Sequence, residues 1–600
     1  MSGVESTFNF LTMASDSLED LSRVNAYHGV IVEDMLNESE LDKATVEALE
    51  SESRFFTNYD CHQYEDVSVE LYHSLVEDAL VLKSNFKRLS KNEQYLKLMD
   101  ASFKEQEKLG IIERIDNLDE FLTRHPDHSF LPHMGVFNLS RETTKCRVVY
   151  LSNLYQEDKN AKKISHNMAI HSGPNLNQKL SSALIHLRFD KFLLVYDLSK
   201  AFNQIALNEV DSNRLLCLWF RNVERNDYSF VGFKNVRLPF GLRCAPTLLL
   251  LALYKILVVD AQEDEAYLQN LKALLYQNLY MDNGAVSMDT HDELVKAYLL
   301  LDSIFNPYQF HLQQLASNDE VLQREIDANQ GSKTQGKVKL LGSVWDRLDD
   351  TLSTKPICLD ESASTKRTIL RSIASQYDLY NFNGPILNRS RMFMHGLQCR
   401  KDMGWDDLLP EKLQREWKNI VKQANASLPI SIPRVVGSRN SRFKLIACCD
   451  ASKSLFGVVV YIQDLVTNCL SFVCAKNRIV NVQLESKSIP SLEVHAIDLA
   501  TQVVTEIYLD LTGPSCLKPI NIEELEVFSD SLVALSWVSA YNVKFDKMQK
   551  RTPFVLNRVA HIAKLCEIHP VKFSFVSGSS NPADFITRCV SSRQLVKQIT

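Results

Sequence analysis

Along the chain the apolar positions change period several times, and those changes mark out elements. Over residues 69–109 apolar residues recur at helical spacing among Lys and Glu, which predicts one or two amphipathic helices. Residues 130–137 and 145–150 read as strands, and Ser172-Gly173-Pro174-Asn175 as a turn. Phe192-Leu193-Leu194-Val195-Tyr196 predicts an apolar strand ending in Asp197; residues 214–220 and 228–238 predict two more. Residues 247–259 form the longest apolar run. It is interrupted by Lys255, is too short to span a bilayer and is read as a buried helix. Two apolar stretches, 274–281 and 284–288, predict a hairpin, with helix 291–305 and strand 337–345 after it. Residues 364–440 are largely helical in pattern, and Pro429, Pro433 and Gly437 suggest a linker. Strands then alternate with helices: strands at 444–449, 456–462, 525–528 and 572–576, helices at 492–509 and 531–540. This predicts a separate α/β domain.

Length and composition refine the picture. Six hundred residues exceed one hydrophobic core, so several domains are expected, and 45% hydrophobic with 24% charged residues excludes wholesale disorder or a fibrous repeat. Thirteen cysteines without CxxC pairs argue for reduced thiols rather than a disulfide framework or zinc site. No basic segment followed by an apolar one opens the chain, so no secretion signal is expected. The net charge of −7 is uneven. Residues 1–80 carry 18 acids and 3 bases; the remaining 56 acids and 64 bases leave a balance of +8, which permits nucleic-acid binding.

Carboxylates supply the candidate chemistry. Phosphoryl transfer uses two metal ions roughly 4 Å apart, and Mg²⁺ takes oxygen ligands, so acids from separate strand ends must converge. Asp197 ends a predicted strand and Asp282 sits at a predicted hairpin turn. Either alone is more often a turn former or helix cap. Together with Leu238-Pro239-Phe240-Gly241-Leu242-Arg243-Cys244-Ala245-Pro246 between them, they form an ordered set ending in Tyr280-Met281-Asp282-Asn283.

That set resembles the palm motifs of reverse transcriptases of LTR retrotransposons, and most closely the BEL/Pao group. Leu131-Pro132-His133, Thr143-Thr144-Lys145-x-Arg147-Val148-Val149, Gly173-Pro174-Asn175-Leu176 and Pro239-Phe240-Gly241-Leu242 carry the likeness. The resemblance implies an α+β and α/β multidomain chain, a right-hand polymerase of fingers, palm and thumb followed by a ribonuclease H-like domain. The expected limits are an acidic leader over 1–83, fingers and palm over 84–340, thumb and connection over 341–440, and the ribonuclease H-like domain over 441–600. It further implies that Asp197 and Asp282 bind metal, that Asn283 is the second residue of the catalytic turn, and that Phe202 lies under the sugar. Lys145 and Arg147 would hold the triphosphate, and Phe240 and Gly241 would line the template and nucleotide pocket. The bland alternatives are plain core for Phe202 and a solvated strand face for Lys145 and Arg147. Two positions depart from the family: Asn283 stands where an Asp is usual, and Leu151 where many relatives carry Asp.

Downstream, Asp450 follows an apolar strand, Glu493 is placed in the first turn of a helix, Asp530 ends another strand and Asp584 precedes a short helix. Four converging acids repel unless cations bind. Their order resembles a ribonuclease H domain, with Asp450, Glu493, Asp530 and Asp584 as catalytic metal ligands. Helix-terminal charge or capping is the alternative for Glu493, Asp530 and Asp584. The implied cofactor is Mg²⁺ or Mn²⁺, two per active site. Residues 341–440 resemble a segment often labelled a Pao-type peptidase, but no Asp-Thr-Gly or Asp-Ser-Gly triplet occurs, so no peptidase activity is expected.

The function expected from the resemblance is an RNA-directed DNA polymerase with ribonuclease H activity. Its partners would be an RNA template, a DNA primer, RNA-DNA hybrid and dNTPs, with no membrane. The chain would belong to a longer polyprotein with gag, protease and integrase segments, in cytoplasmic virus-like particles or the nucleus. The alternative is a non-catalytic or degenerate element-derived protein that keeps the fold and binds nucleic acid or protein.

Overall fold

The computed structural model describes residues 75–588 apart from 127, 140–144, 155, 158–162, 261–264, 332, 481–483, 485, 515 and 542–550. Most of the acidic leader, with Thr143 and Thr144, lies outside the described residues. The leader boundary at 83 falls inside a helix, Leu75–Leu89.

That helix and the next, Glu93–Lys108, cover a four-stranded sheet in the order Ile112–Ile115, Asp227–Asn235, Leu215–Asn222, Ser129–Phe130. Trp219 stacks on Phe103 with ring centroids 4.6 Å apart, and its Nε1 donates to Asp100 at 3.0 Å, so the indole is buried without an orphaned donor. Beside this sheet a hairpin pairs His133–Phe137 with Cys146–Tyr150.

A second sheet has the order Leu279–Tyr280, Asn283–Met288, Phe192–Ser199, His311–Ser317, all antiparallel. Its centre is Phe192–Ser199. Leu194, Tyr196 and Leu198 face helices Ala245–Tyr254 and His291–Phe305, while Leu193 and Val195 face a second core. The apolar run 247–259 lies in the helix Ala245–Tyr254 and a π-helical turn at Lys255–Val259. One expectation fails here: residues 274–277 are the last turn of the helix Ala266–Gln277, leaving only Leu279–Tyr280 as strand. Leu271, Leu274 and Leu275 are the buried positions, a spacing of three and four that the short apolar run hid.

The third sheet runs Lys337–Leu340, Ser343–Asp346, Thr351–Ser353, Ser431–Pro433, with helices Lys366–Ala374, Gly384–Gln398 and Glu411–Asn425 packed around buried Trp345 and Trp417. The expected linker near Pro433 is absent. Ser431–Pro433 is an edge strand, where proline's missing donor is tolerated, and the next residue, Arg434, is fully buried. Arg434 forms a bidentate pair with Asp350 (2.7 and 2.8 Å) and donates to the carbonyls of Leu187, Asp190 and Lys191. Arg188 donates to the carbonyls of Arg434, Phe472 and Pro433, and Arg439 pairs with buried Asp190 at 2.7 Å. Three arginines thus bind the second, third and fourth sheets into one joint.

The fourth sheet has five strands in the order Leu470–Ile479, Leu455–Asp464, Arg442–Ala451, Asn521–Ser529, Val571–Phe575. The first three are antiparallel and the last two run parallel to Arg442–Ala451. Ile489–Thr512 carries the crossover from Leu470–Ile479 to Asn521–Ser529, as parallel strands require. That helix and Pro553–Ile568 cover one face; Gly384–Gln398 and Asp584–Thr587 meet the other side. No helix among the described residues is long and apolar enough to cross a membrane.

Candidate active site

Parallel pairing builds the downstream site. Cys449 registers with Ser529, so the next residues, Asp450 and Asp530, emerge side by side at one sheet edge. Neighbouring strands lie about 4.8 Å apart. The crossover helix brings in Glu493, and carboxylate oxygens of Asp450, Glu493 and Asp530 all lie within 4.8 Å of one another. The helix begins at Ile489, so Glu493 is in its second turn and not its first; helix-terminal charge does not account for it. Nor does Asp530 cap the following helix, since Ser531 Oγ accepts from the Ala534 N–H. Asp584 is the first residue of Asp584–Thr587 and lies outside the tight trio, with its carboxylate paired to Arg588 at 2.6 Å.

Electrostatics follow from burial. Glu493 is 5% exposed, one of its oxygens has no hydrogen-bond partner, and burial, with repulsion from Asp450 and Asp530, pushes its carboxyl up to about 8. Asp450 is raised by burial, with Asp530 and Asp584 adding repulsion; Asp530 is raised by burial, then Asp584. Sequence reasoning missed three supports. Thr587 Oγ1 donates to Asp450, Asn581 Nδ2 donates to the Cys449 carbonyl at 2.9 Å, and Arg588 holds Asp584. The first two contacts span 137 and 132 residues, and no local pattern signals them. Two buried acids and a half-buried third, with an unpartnered oxygen on Glu493, suit a hard divalent cation.

The upstream acids also converge. Asp197 registers with Asn283 on one side and Gln313 on the other. Tyr280 pairs with Asn283, leaving Met281 and Asp282 as a two-residue turn. Met281 takes φ +59°, as the first central position of such a turn requires, and the turn carries Asp282 to the strand end. Burial, then Asp282, pushes Asp197 up to about 6; burial raises Asp282 as well, and Arg147 opposes both shifts. Each carboxylate accepts an amide donor: Gln313 Nε2 to Asp197 at 2.6 Å, and Asn283 Nδ2 to Asp282 at 2.8 Å. Gln313 had no sequence signal.

Lys145 and Arg147 lie on the exposed face of their hairpin, and Arg147 is the one coupled to the acids. Phe202 meets Phe240 edge-on with ring centroids 5.2 Å apart, and it also packs against two cores. Gly241 has φ +107°, and a Cβ there would lie 2.5 Å from the Tyr150 carbonyl oxygen, so glycine is required where this loop meets the hairpin. Asn167 holds the loop by donating to the Gly241 carbonyl and accepting from the Arg243 N–H.

The five-stranded mixed sheet, with acids on Arg442–Ala451, just past the end of Asn521–Ser529 and on the crossover helix, defines a ribonuclease H-like domain joined to a larger mixed α/β body. Residues 365–531 match the family described as Pao retrotransposon-like RNaseH-like domain, and the likeness to Pao-type retroelements is borne out over those residues. The match runs across the expected boundary at 440. Among solved structures, the chain is similar to the foamy viral protease-reverse transcriptase in complex with dsDNA, at 13% identity over 80% of this chain and 83% of that chain, TM-score 0.49. It is also similar to that protein in complex with an RNA/DNA hybrid, at 13% identity over 79% of this chain and 52% of that chain, TM-score 0.47. Likeness at that level carries no argument about chemistry. No curated protein matches the chain.

Proposed function

We propose that the chain is a retroelement RNA-directed DNA polymerase with ribonuclease H activity on RNA-DNA hybrids. One observation carries the nuclease half: the convergence of Asp450, Glu493 and Asp530 within 4.8 Å, with a buried, unpartnered oxygen on Glu493. Those three acids would hold Mg²⁺ or Mn²⁺, with Asp584 beside them. Divalent cations at such a site supply a nucleophilic water at neutral pH and stabilise charge on the scissile phosphate. The protein's own part is to orient the acids. Thr587 fixes one oxygen of Asp450, the parallel register sets Asp450 against Asp530, and Arg588 restrains Asp584. A labelled RNA-DNA hybrid with Mg²⁺ tests the reading: cleavage is expected from the native chain and its loss from Asp450→Asn. No cleavage by the native chain, or cleavage surviving that change, refutes it.

The polymerase half is supported by the meeting of Asp197, Asp282 and Arg147. Lys145, Phe202, Phe240 and Gly241 are proposed to hold the dNTP and template beside them, with a DNA primer and RNA template as partners. A second reading has one specific observation in its favour. The amides of Asn283 and Gln313 already bond the two carboxylates, which suits a fold that binds nucleic acid without polymerising.

A further inference from the structure

The acid-bearing turn of the nuclease is held from outside its own sheet. Asp584–Thr587 is only four residues long, yet it carries Asp584 and the Thr587 hydroxyl that bonds Asp450. Between them, the Ile586 carbonyl accepts from Asn388 Nδ2 at 2.8 Å. Asn388 is fully buried on Gly384–Gln398, a helix of the preceding segment and 198 residues away along the chain. Its side chain is itself fixed: Asn477 Nδ2 donates to Asn388 Oδ1, and Asn477 Oδ1 accepts from Asn381 Nδ2 at 2.9 Å and from Arg391 at 3.1 Å. Ile586 is also wedged against Gly457, where a Cβ would lie 3.1 Å from its Cδ1. A buried amide that satisfies a buried carbonyl fixes position more than it adds net stability.

We infer that Asn388 is a positioning residue for the nuclease: through the Ile586 carbonyl it sets where Thr587 and Asp584 meet Asp450. The helix Gly384–Gln398 is then part of the catalytic domain rather than a connector before it. This inference rests on the nuclease reading above.

The test uses the full chain. Asn388→Leu keeps the branched shape, with bulkier methyl ends, and removes the donor. Asn381→Ala loosens the outer end of the network, at Asn477, whose Nδ2 lies 3.5 Å from the Ile586 carbonyl. Thr587→Val removes the bond to Asp450. With Mn²⁺ alone as probe, Asn388→Leu raises the concentration giving half-maximal thermal stabilisation roughly tenfold, about 1.4 kcal/mol of binding, and hybrid cleavage falls in kcat with KM unchanged. Asn381→Ala shifts the Mn²⁺ response in the same direction and by less than Asn388→Leu. The Asn388→Leu/Thr587→Val double variant loses less than the product of the two single effects, because both act on the Thr587–Asp450 bond while only Asn388→Leu also shifts Asp584; this comparison holds even if Asn388→Leu lowers the metal-free melting temperature. Multiplicative effects in the double variant, or a native Mn²⁺ response in Asn388→Leu, overturn the inference while leaving the nuclease reading standing. A native chain that neither binds Mn²⁺ nor cuts the hybrid removes both.

Discussion

Replacing Glu493 with Gln preserves the shape of a buried side chain and removes its charge, which turns the electrostatics of the site into a measurable pH dependence. The carboxyl is raised from an ordinary 4.5 to about 8. Between those values the folded chain holds a proton that the unfolded chain has released, so metal-free stability falls as pH rises through that window. At ~1.4 kcal/mol per pH unit the whole interval amounts to about 5 kcal/mol as an upper bound, with roughly two-thirds of it already lost by pH 7. Other acids titrate in the same range, Asp197 among them, so the quantity to follow is the difference between native and Glu493→Gln chains. Urea denaturation from pH 5 to pH 9 in EDTA should give curves that diverge with rising pH, the variant being more stable above pH 8. Adding Mn²⁺ should rescue the native chain at high pH and leave the variant unchanged, since a neutral amide gains little from a cation. A difference that is flat with pH, or that grows toward acid, would refute the argument that an unrelieved buried charge sits at Glu493.

Asn283→Asp should raise Mg²⁺-dependent primer extension by roughly tenfold or more, equivalent to about 1.4 kcal/mol of transition-state stabilisation; an unchanged or lower rate in a gel-based extension assay counts against Asn283 as the limiting residue. Arg434→Met should cost about 3–5 kcal/mol in chemical denaturation, because it strands the Asp350 carboxylate and three carbonyls. Arg434→Lys should not restore that loss, since an ammonium lacks the two-pronged geometry. Asp197→Asn should leave most of the Mn²⁺-induced rise in melting temperature intact, whereas Glu493→Gln removes it; equal losses would mean the two acid sites load metal alike.

What the sequence made legible was whatever rested on local pattern. The apolar run into Asp197 and the helix His291–Phe305 show their period openly, and Asp450 and Asp530 stand at the ends of apolar strand patterns. Short apolar runs were ambiguous: residues 274–281 hold too few positions to separate a period of two from one of 3.6, and the helix Ala266–Gln277 won by packing Leu271, Leu274 and Leu275 into the core. The helix carrying Glu493 begins at Ile489, three residues before the expected 492, with Pro490 in its first turn, where the missing N–H costs nothing. Pro429 and Pro433 read as a linker. The contacts that overrule that reading, from Arg434 to Leu187, Asp190 and Lys191, join residues more than 240 positions apart. Polar residues interrupt the apolar pattern of Leu470–Ile479 and Pro553–Ile568 and hide both elements. Gln313, Thr587 and Asn388 had no signal at all: each is a common residue type whose role exists only through a partner brought by the fold.

The two acid clusters differ in what relieves the repulsion. At the upstream turn the protein supplies the relief itself. Gln313 bonds Asp197, Asn283 bonds Asp282, and Arg147 lowers the cost of charge on both. A cation arriving there meets carboxylates already partly satisfied by one amide bond each, so it gains less. At the downstream site Thr587 satisfies one oxygen of Asp450 and Arg588 holds the outlying Asp584, while Glu493 keeps a buried oxygen with no partner and repulsion from two neighbours. There the cation recovers most of the cost of burial as well as the repulsion. The expected order of metal affinity therefore follows less from the number of acids than from how many neutral donors the fold has already committed to them. Asn283 acts twice in that balance, once by omitting a charge and once by donating to the charge that remains.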